Sequence, residues 1–256
     1  MTASSVDLSP AGLAAPRRRQ LAAQANLELR LTLRNGEQLL LTIAIPTIVL
    51  VLFASAPIAN LPKPRIDFLM PGVMALAIMS TAFTGQAIGT GFERRYGVLR
   101  RLGTTPLSRG TLLAAKTLSV LCIEVLQIAL LCLVGVAYGW SPHGNPLTVI
   151  GVLLLGTAAF SSLGLLMAGT LRAEATLAAA NLIYLVLLVL GGVAFPLTDF
   201  SDGVRHVLEL LPISALSDGL RIVLRSGATM PRHDWLTLLV WTLAGATAAT
   251  RWFRWD

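Results

Sequence analysis

Long apolar runs separated by short polar and charged stretches set the pattern of this chain. No charged residue falls between Glu37 and Lys63, Asp67 and Glu93, Glu174 and Asp199, or Asp234 and Arg251. From Lys116 to Arg172 the only charge is Glu124. An ionised side chain at mid-bilayer is costly and a spanning helix needs about 20 residues, so such gaps mark membrane spans. The Lys116–Arg172 run is long enough for two helices, and Trp140-Ser141-Pro142-His143-Gly144-Asn145-Pro146 divides it with turn-forming residues. Six spans are predicted: Leu39–Ala56, Phe68–Gly89, Leu112–Tyr138, Leu147–Leu171, Leu177–Leu197 and Trp235–Thr250. The runs are continuous, whereas the strands of a membrane barrel alternate over about ten residues. The fold class expected is an all-α membrane protein.

Before the first span, Leu27-Glu28-Leu29-Arg30-Leu31-Thr32-Leu33-Arg34 alternates with period two, nominally a strand signal. Its composition favours helix, and a lone strand at the interface would leave its backbone unpaired. An interfacial helix is therefore expected over 20–37. Residues 1–19, rich in Ala, Ser and Pro and ending in Arg17-Arg18-Arg19, read as a mobile cytoplasmic tail without the apolar core of a signal peptide. The transmembrane domain then covers 38–251.

Charge orients this layout. Six spans put both termini on one side. Lys63, Arg65, Arg205, Arg221, Arg225 and Arg232 fall on the opposite side, and the other 14 of the 20 Lys and Arg on the terminal side. The bias places both termini in the cytoplasm of a cell-membrane protein. Composition agrees: 55% hydrophobic and 13% charged is too apolar for one soluble core of 256 residues. The net charge of +7 lies between apolar spans and forms no separate basic domain, so no nucleic-acid partner is expected. Cys122 and Cys132, ten residues apart in one apolar run, would stand about 15 Å apart on a helix, beyond disulfide reach.

The densest basic segment lies between spans two and three: Glu93-Arg94-Arg95-Tyr96-Gly97-Val98-Leu99-Arg100-Arg101-Leu102-Gly103-Thr104-Thr105-Pro106-Leu107-Ser108-Arg109. Glu93–Leu102 suits a short helix, Gly103 a stop, and Pro106 prevents continuation. Charge alone implies a positive cytoplasmic loop touching anionic lipid head groups. Its wording, with Glu93, Arg95, Gly97, Leu99, Arg101, Leu102, Thr105, Pro106, Leu107 and Ser108, resembles the segment between the second and third helices of type-2 ABC export permeases. The likeness continues through Leu112 to Lys116. A second stretch resembles the same family: Gly191-Gly192-Val193-Ala194-Phe195-Pro196-Leu197, then Leu210 to Arg221 with Pro212 and Asp218. Together the likeness spans about 20–250 and points most toward the drug-export branch, which includes the daunorubicin-exporter permease.

The resemblance implies particular roles. Glu93, Arg94, Arg95, Gly97, Leu99, Arg100, Arg101, Leu102 and Pro106 would form a coupling helix that docks on a separate ATP-binding subunit. Phe195, Pro196, Pro212 and Asp218 would belong to a short helical hairpin dipping back from the outer face between spans five and six. Two ATP-binding subunits carrying ATP and Mg, and a second permease chain, most simply a homodimer, would complete the machine. The chain itself has no Gly-x-x-x-x-Gly-Lys-[Ser/Thr] segment, no catalytic constellation and no metal-ligand spacing. It is expected to bind no cofactor and to be no enzyme alone.

Glu124, the only charge well inside a span, lies about 12 Å deeper than Lys116. An intramembrane carboxylate is a functional candidate by default, with Gln127 one turn on. Both are candidates for a substrate path, and structural hydrogen bonding is the plainer reading. The expected cargo is amphipathic or hydrophobic, a drug or lipid-like compound. Alternatives are a polysaccharide or glycolipid exporter, and a proton-coupled transporter using Glu124. A membrane-embedded enzyme lacks a pair of intramembrane His, Asp or Glu residues.

Overall fold

The computed structural model describes residues 14–55, 64–193 and 201–255, and among them every regular element is helical. The helices are α1 (Arg17–Arg34), α2 (Gly36–Ser55), α3 (Arg65–Ile78), a π-helical segment (Met79–Gly85), α4 (Gln86–Arg95), α5 (Val98–Leu102), α6 (Arg109–Ala137), α7 (Pro146–Thr170), α8 (Ala173–Leu190), α9 (Asp202–Leu208), α10 (Pro212–Ser226) and α11 (Arg232–Trp252). Their boundaries carry local signals. Ser108 caps α6 by accepting a hydrogen bond from the Thr111 N–H at 3.2 Å. Asn145 caps α7 with Pro146 at the first helical position. Gly227, at φ 66°, ends α10.

The described parts of the six predicted spans lie mainly on helices, although α8 stops at Leu190 and leaves residues 191–193 of span five outside it. Four helices are long and apolar enough to cross a membrane: Arg65–Arg95, Arg109–Ala137, Pro146–Thr170 and Ala173–Leu190. The apolar stretch of α2, Thr42–Ser55, is shorter, and α11 opens on Arg232, His233 and Asp234. The expected end of span five at Leu197, with Phe195 and Pro196, lies outside the described residues. The Arg65–Arg95 helix is the centre of the bundle, with 89% of its apolar window buried, against 17% for Ala173–Leu190.

Both ends of the bundle are defined by contacts. At one end, Gly169 near the close of α7 lies against Phe253, and the Arg254 N–H donates to the Gly169 carbonyl at 3.2 Å. At the other, Gly151 in α7 lies beside Trp235 of α11, and the His143 N–H donates to the Leu224 carbonyl of α10 at 3.1 Å. Helix α9 leads into α10 through residues 209–211, and α10 packs against α3, α7 and α11. It is buried among them, with Leu216 and Leu220 fully covered, rather than resting on the surface.

Helix α1 replaces the strand-like alternation, and it starts at Arg17, so Arg17–Arg19 belong to it rather than to a tail. It packs on α6 through Gln24, Ala25 and Glu28. Leu27 and Leu31, one turn apart, stay about half exposed on its other side. Arg30 and Arg34 are exposed beside these leucines, while Gln24 and Glu28 turn inward, a mixed outer surface that suits a membrane interface.

Candidate functional site

The arginine-rich segment is not one helix. Helix α4 ends at Arg95, Gly97 turns the chain at φ 74°, and α5 spans only Val98–Leu102. A left-handed backbone costs any residue with a Cβ, so Gly97 sets the break. This corrects the expectation of a continuous Glu93–Leu102 helix. Below α5, the Thr104 and Thr105 hydroxyls donate to the Arg101 and Leu102 carbonyls at 2.7 and 2.6 Å and close the turn ahead of Pro106.

Side chains of this segment divide into two sets. Leu99 is fully buried in a cluster with Leu112, Leu113, Leu165, Ala249 and Phe253, which ties α5 to α6, α7, α11 and the chain beyond. Arg94 also turns inward: its guanidinium donates to the carbonyls of Ala168, at 2.9 Å, and Leu171. These are end carbonyls of α7, so Arg94 is a C-terminal cap placed where the helix dipole favours a cation. Arg95, Arg100 and Arg101 remain exposed, beside Tyr96 at 70% and Val98 at 42%. Arg95 pairs with Glu174 at the start of α8, in the open, where such pairs contribute little.

Glu93 turns inward as well. Its carboxylate accepts from Lys116 Nζ at 2.6 Å, and the same ammonium donates to Glu28 at 2.9 Å. Gln24 donates to the second Glu28 oxygen at 2.8 Å. Lys116, only 3% exposed, thereby joins α1, α4 and α6. These three charged groups wall a polar cavity of about 100 Å³, with Thr42, Thr81 and Gln86 along it. Gly85 and Gly89 also border this cavity.

Glu124 and Gln127 are buried but do not line that cavity, and they face different neighbours. Glu124 accepts from the Thr157 hydroxyl of α7, and its other carboxyl oxygen has no partner. Gln127 accepts from Thr81 of the π-helical segment at 3.0 Å and donates to the Thr42 carbonyl of α2 at 2.8 Å. Both side chains therefore bind helix to helix. The π-helical segment has its own close contact: a Cβ on Gly164 of α7 would stand 2.7 Å from the Phe83 carbonyl, so only glycine admits this approach.

In α10, Asp218 accepts from Arg221 at 2.8 Å, and the guanidinium also donates to the Gly192 carbonyl at 3.0 Å. Burial pushes the Asp218 carboxyl above its ordinary range and the Arg221 guanidinium below its own, each opposed by the other's charge. Pro212 opens α10 at its first position. No group of three His, Cys, Asp or Glu able to hold a metal occurs among the described residues, and Cys122 and Cys132 are free thiols.

Sequence reasoning missed Lys116 and Glu28 as a pair and Arg221 as an anchor. Lys116 entered there as an inner-side cation and a span boundary, and its 88-residue separation from Glu28 carries no local signal.

Comparison with known proteins bears on the whole layout. The chain is 29% identical over 167 residues to the transport permease ycf38 of Pyropia yezoensis, covering 62% of this chain and 56% of that one. It therefore spans little more than half the length of that relative. It is 24% identical over 226 residues to the transport permease YvfS of Bacillus subtilis (strain 168), covering 86% of this chain and 90% of that one. The family model described as ABC-2 type transporter matches residues 19–224, which takes in nearly all of α1, the arginine segment and nearly all of α10. The chain belongs to the ABC-2 type transporter family.

Proposed function

We propose that this chain is the transmembrane subunit of an ATP-driven exporter, and that a separate ATP-binding subunit docks on the exposed side of the arginine segment. The observation that carries this reading is the division of that segment. Leu99 and Arg94 fasten it to α6, α7 and α11, while Tyr96, Arg100 and Arg101 face outward. Aromatic and arginine side chains are the enriched elements of protein interfaces. A partner bound there would move the bundle through Leu99 and Arg94.

Six helices supply half of a translocation unit, so the working form is a dimer of this chain with two ATP-binding subunits. Apolar side chains exposed along α2 (Leu40, Ile45, Ile48, Leu52) and α8 (Leu182, Leu185, Val189) support a pairing through these helices. Both termini lie in the cytoplasm by the distribution of Lys and Arg. The cargo is an amphipathic or hydrophobic compound of the kind drug-export permeases move. ATP would act by binding better to one arrangement of the pair than to the other.

Export from vesicles, with and without the ATP-binding subunit and with the proton gradient collapsed, tests this reading. The expected result is transport that requires the subunit and ATP and survives loss of the gradient. Transport that needs the gradient and no ATPase would overturn it. That outcome would favour Glu124 as a proton carrier, which its unpartnered carboxyl oxygen makes the specific rival.

A further inference from the structure

At the end of the bundle away from α5, α9, α10 and the start of α11 border a cavity of about 380 Å³. Arg205, Glu209, Ser214, Asp218, Arg221 and Asp234 line most of it. Two ion pairs there are closed within the chain, Arg205 with Glu209 at 2.7 Å and Arg221 with Asp218 at 2.8 Å. Three buried polar atoms are not: Ser214 Oγ, Arg221 Nε and Asp234 Oδ2 have no hydrogen-bond partner. Ser214 is 1% and Asp234 4% exposed. The other Asp234 oxygen stands 3.0 Å from His233 Nε2.

Buried polar groups are normally paired, and leaving them open is costly. Here the open groups are complementary in kind. One is a donor on a cation, one an acceptor on a carboxylate, and one a hydroxyl that can serve as either. A simple anion would satisfy the arginine but face Asp234, Asp218 and Glu209. A simple cation would leave Arg221 Nε open. A ligand carrying both charges answers all three.

We infer that this cavity binds a zwitterionic headgroup of the phosphoethanolamine type, with its ammonium on Asp234 and its anionic oxygens on Arg221 and Ser214. The ammonium must carry N–H donors, so a quaternary choline is the wrong ligand. Location fits a lipid headgroup: the cavity lies where the predicted Trp235–Thr250 span begins, and Trp235 packs there on Gly151 of α7. The inference needs the membrane placement of α7 and α11 but not ATP-driven transport, so each can fail without the other.

The probe is short-chain dihexanoyl phosphatidylethanolamine added to the purified full-length chain in detergent, followed by calorimetric titration and thermal shift. The choline and glycerol analogues, and chain-free glycerophosphoethanolamine, are titrated in parallel. Saturable binding of the ethanolamine lipid is expected. Asp234→Asn or Ser214→Ala should weaken it about tenfold, the loss of one hydrogen bond to a charged group. Glycerophosphoethanolamine binding as tightly as the lipid would assign the site to a soluble headgroup, and binding of the lipid alone to the bilayer. Either supports the inference. Equal binding of the three lipids, or no binding at all, would overturn it and leave the cavity to water. Ser214→Ala removes one oxygen at a small site, so it tests the same prediction if Asp234→Asn does not assemble.

Discussion

The Arg221 guanidinium lies 4.2 Å from the centroid of the Phe68 ring. Phe68 is in the first turn of α3, so one side chain of α10 touches the central helix while bonding Asp218 in its own helix and Gly192 beyond α8. Arg221→Ala removes all three contacts and strands a buried Asp218, at a cost of about 3–5 kcal/mol. Arg221→Lys keeps the charge but loses the planar fork, and should recover only part of the stability. Thermal unfolding of the purified chain checks both, and the double variant with Asp218→Asn should be less destabilised than the sum of the singles.

Lys116 is the single cation between two carboxylates on different helices. Lys116→Met should destabilise by about 3–5 kcal/mol, since it leaves Glu28 and Glu93 buried without their cation. Glu28→Gln should be milder, because Lys116 keeps Glu93. Limited proteolysis within α1 would report the loss directly: faster cleavage near Glu28 is expected in the Lys116 variant, and unchanged cleavage would show that α1 is held by its apolar contacts alone.

Arg94 and Arg95 are neighbours with opposite duties. Arg94→Ala should lower stability by about 1–2 kcal/mol through the uncapped end of α7. Charge reversal at Arg95, Arg100 and Arg101 should leave stability within about 0.5 kcal/mol, as exposed substitutions do, and lower the amount of ATP-binding subunit that copurifies. Membrane orientation must be verified in the triple variant, because it weakens the positive-inside bias. Full subunit stoichiometry in that variant would remove these arginines from the interface.

Gly97→Ala should cost about 1 kcal/mol from its left-handed backbone, and Leu99→Ala about 2–5 kcal/mol from the cavity it leaves. Hydrogen exchange over residues 96–105 checks these. Both variants should lose protection there while α7 keeps its own.

Much of the architecture was legible because an apolar solvent leaves a plain trace: charge-free gaps became helices. Where helices are shorter or more polar, as in Thr42–Ser55 and α11, the trace fades. The break at Gly97 was written in the chain, and reading Glu93–Leu102 as one helix passed over a residue suited to positive φ. Other features had no local sign. Arg94 looks like Arg95 in sequence, and only the arrival of the end of α7 beside it makes it a cap. Glu93 and Lys116 both looked like boundary charges, although each completes a buried network with Glu28 of α1. The Met79–Gly85 segment carries no residue that announces a π-helical turn, and its Thr81–Gln127 bond depends on a helix 46 residues away.

Helix α7 joins the two ends of this molecule. At one end Arg94 grips its carbonyls, and at the other Gly144, just before its first turn, lies against Val223 of α10. Its 25 residues make a strut of about 37 Å, with no proline after its first position. A stiff rod does not dissipate a shove along its length. Displacement imposed on the arginine segment would therefore be passed along α7 to α10, which walls the charged cavity, and a headgroup lodged there would become a load against which the far end must work.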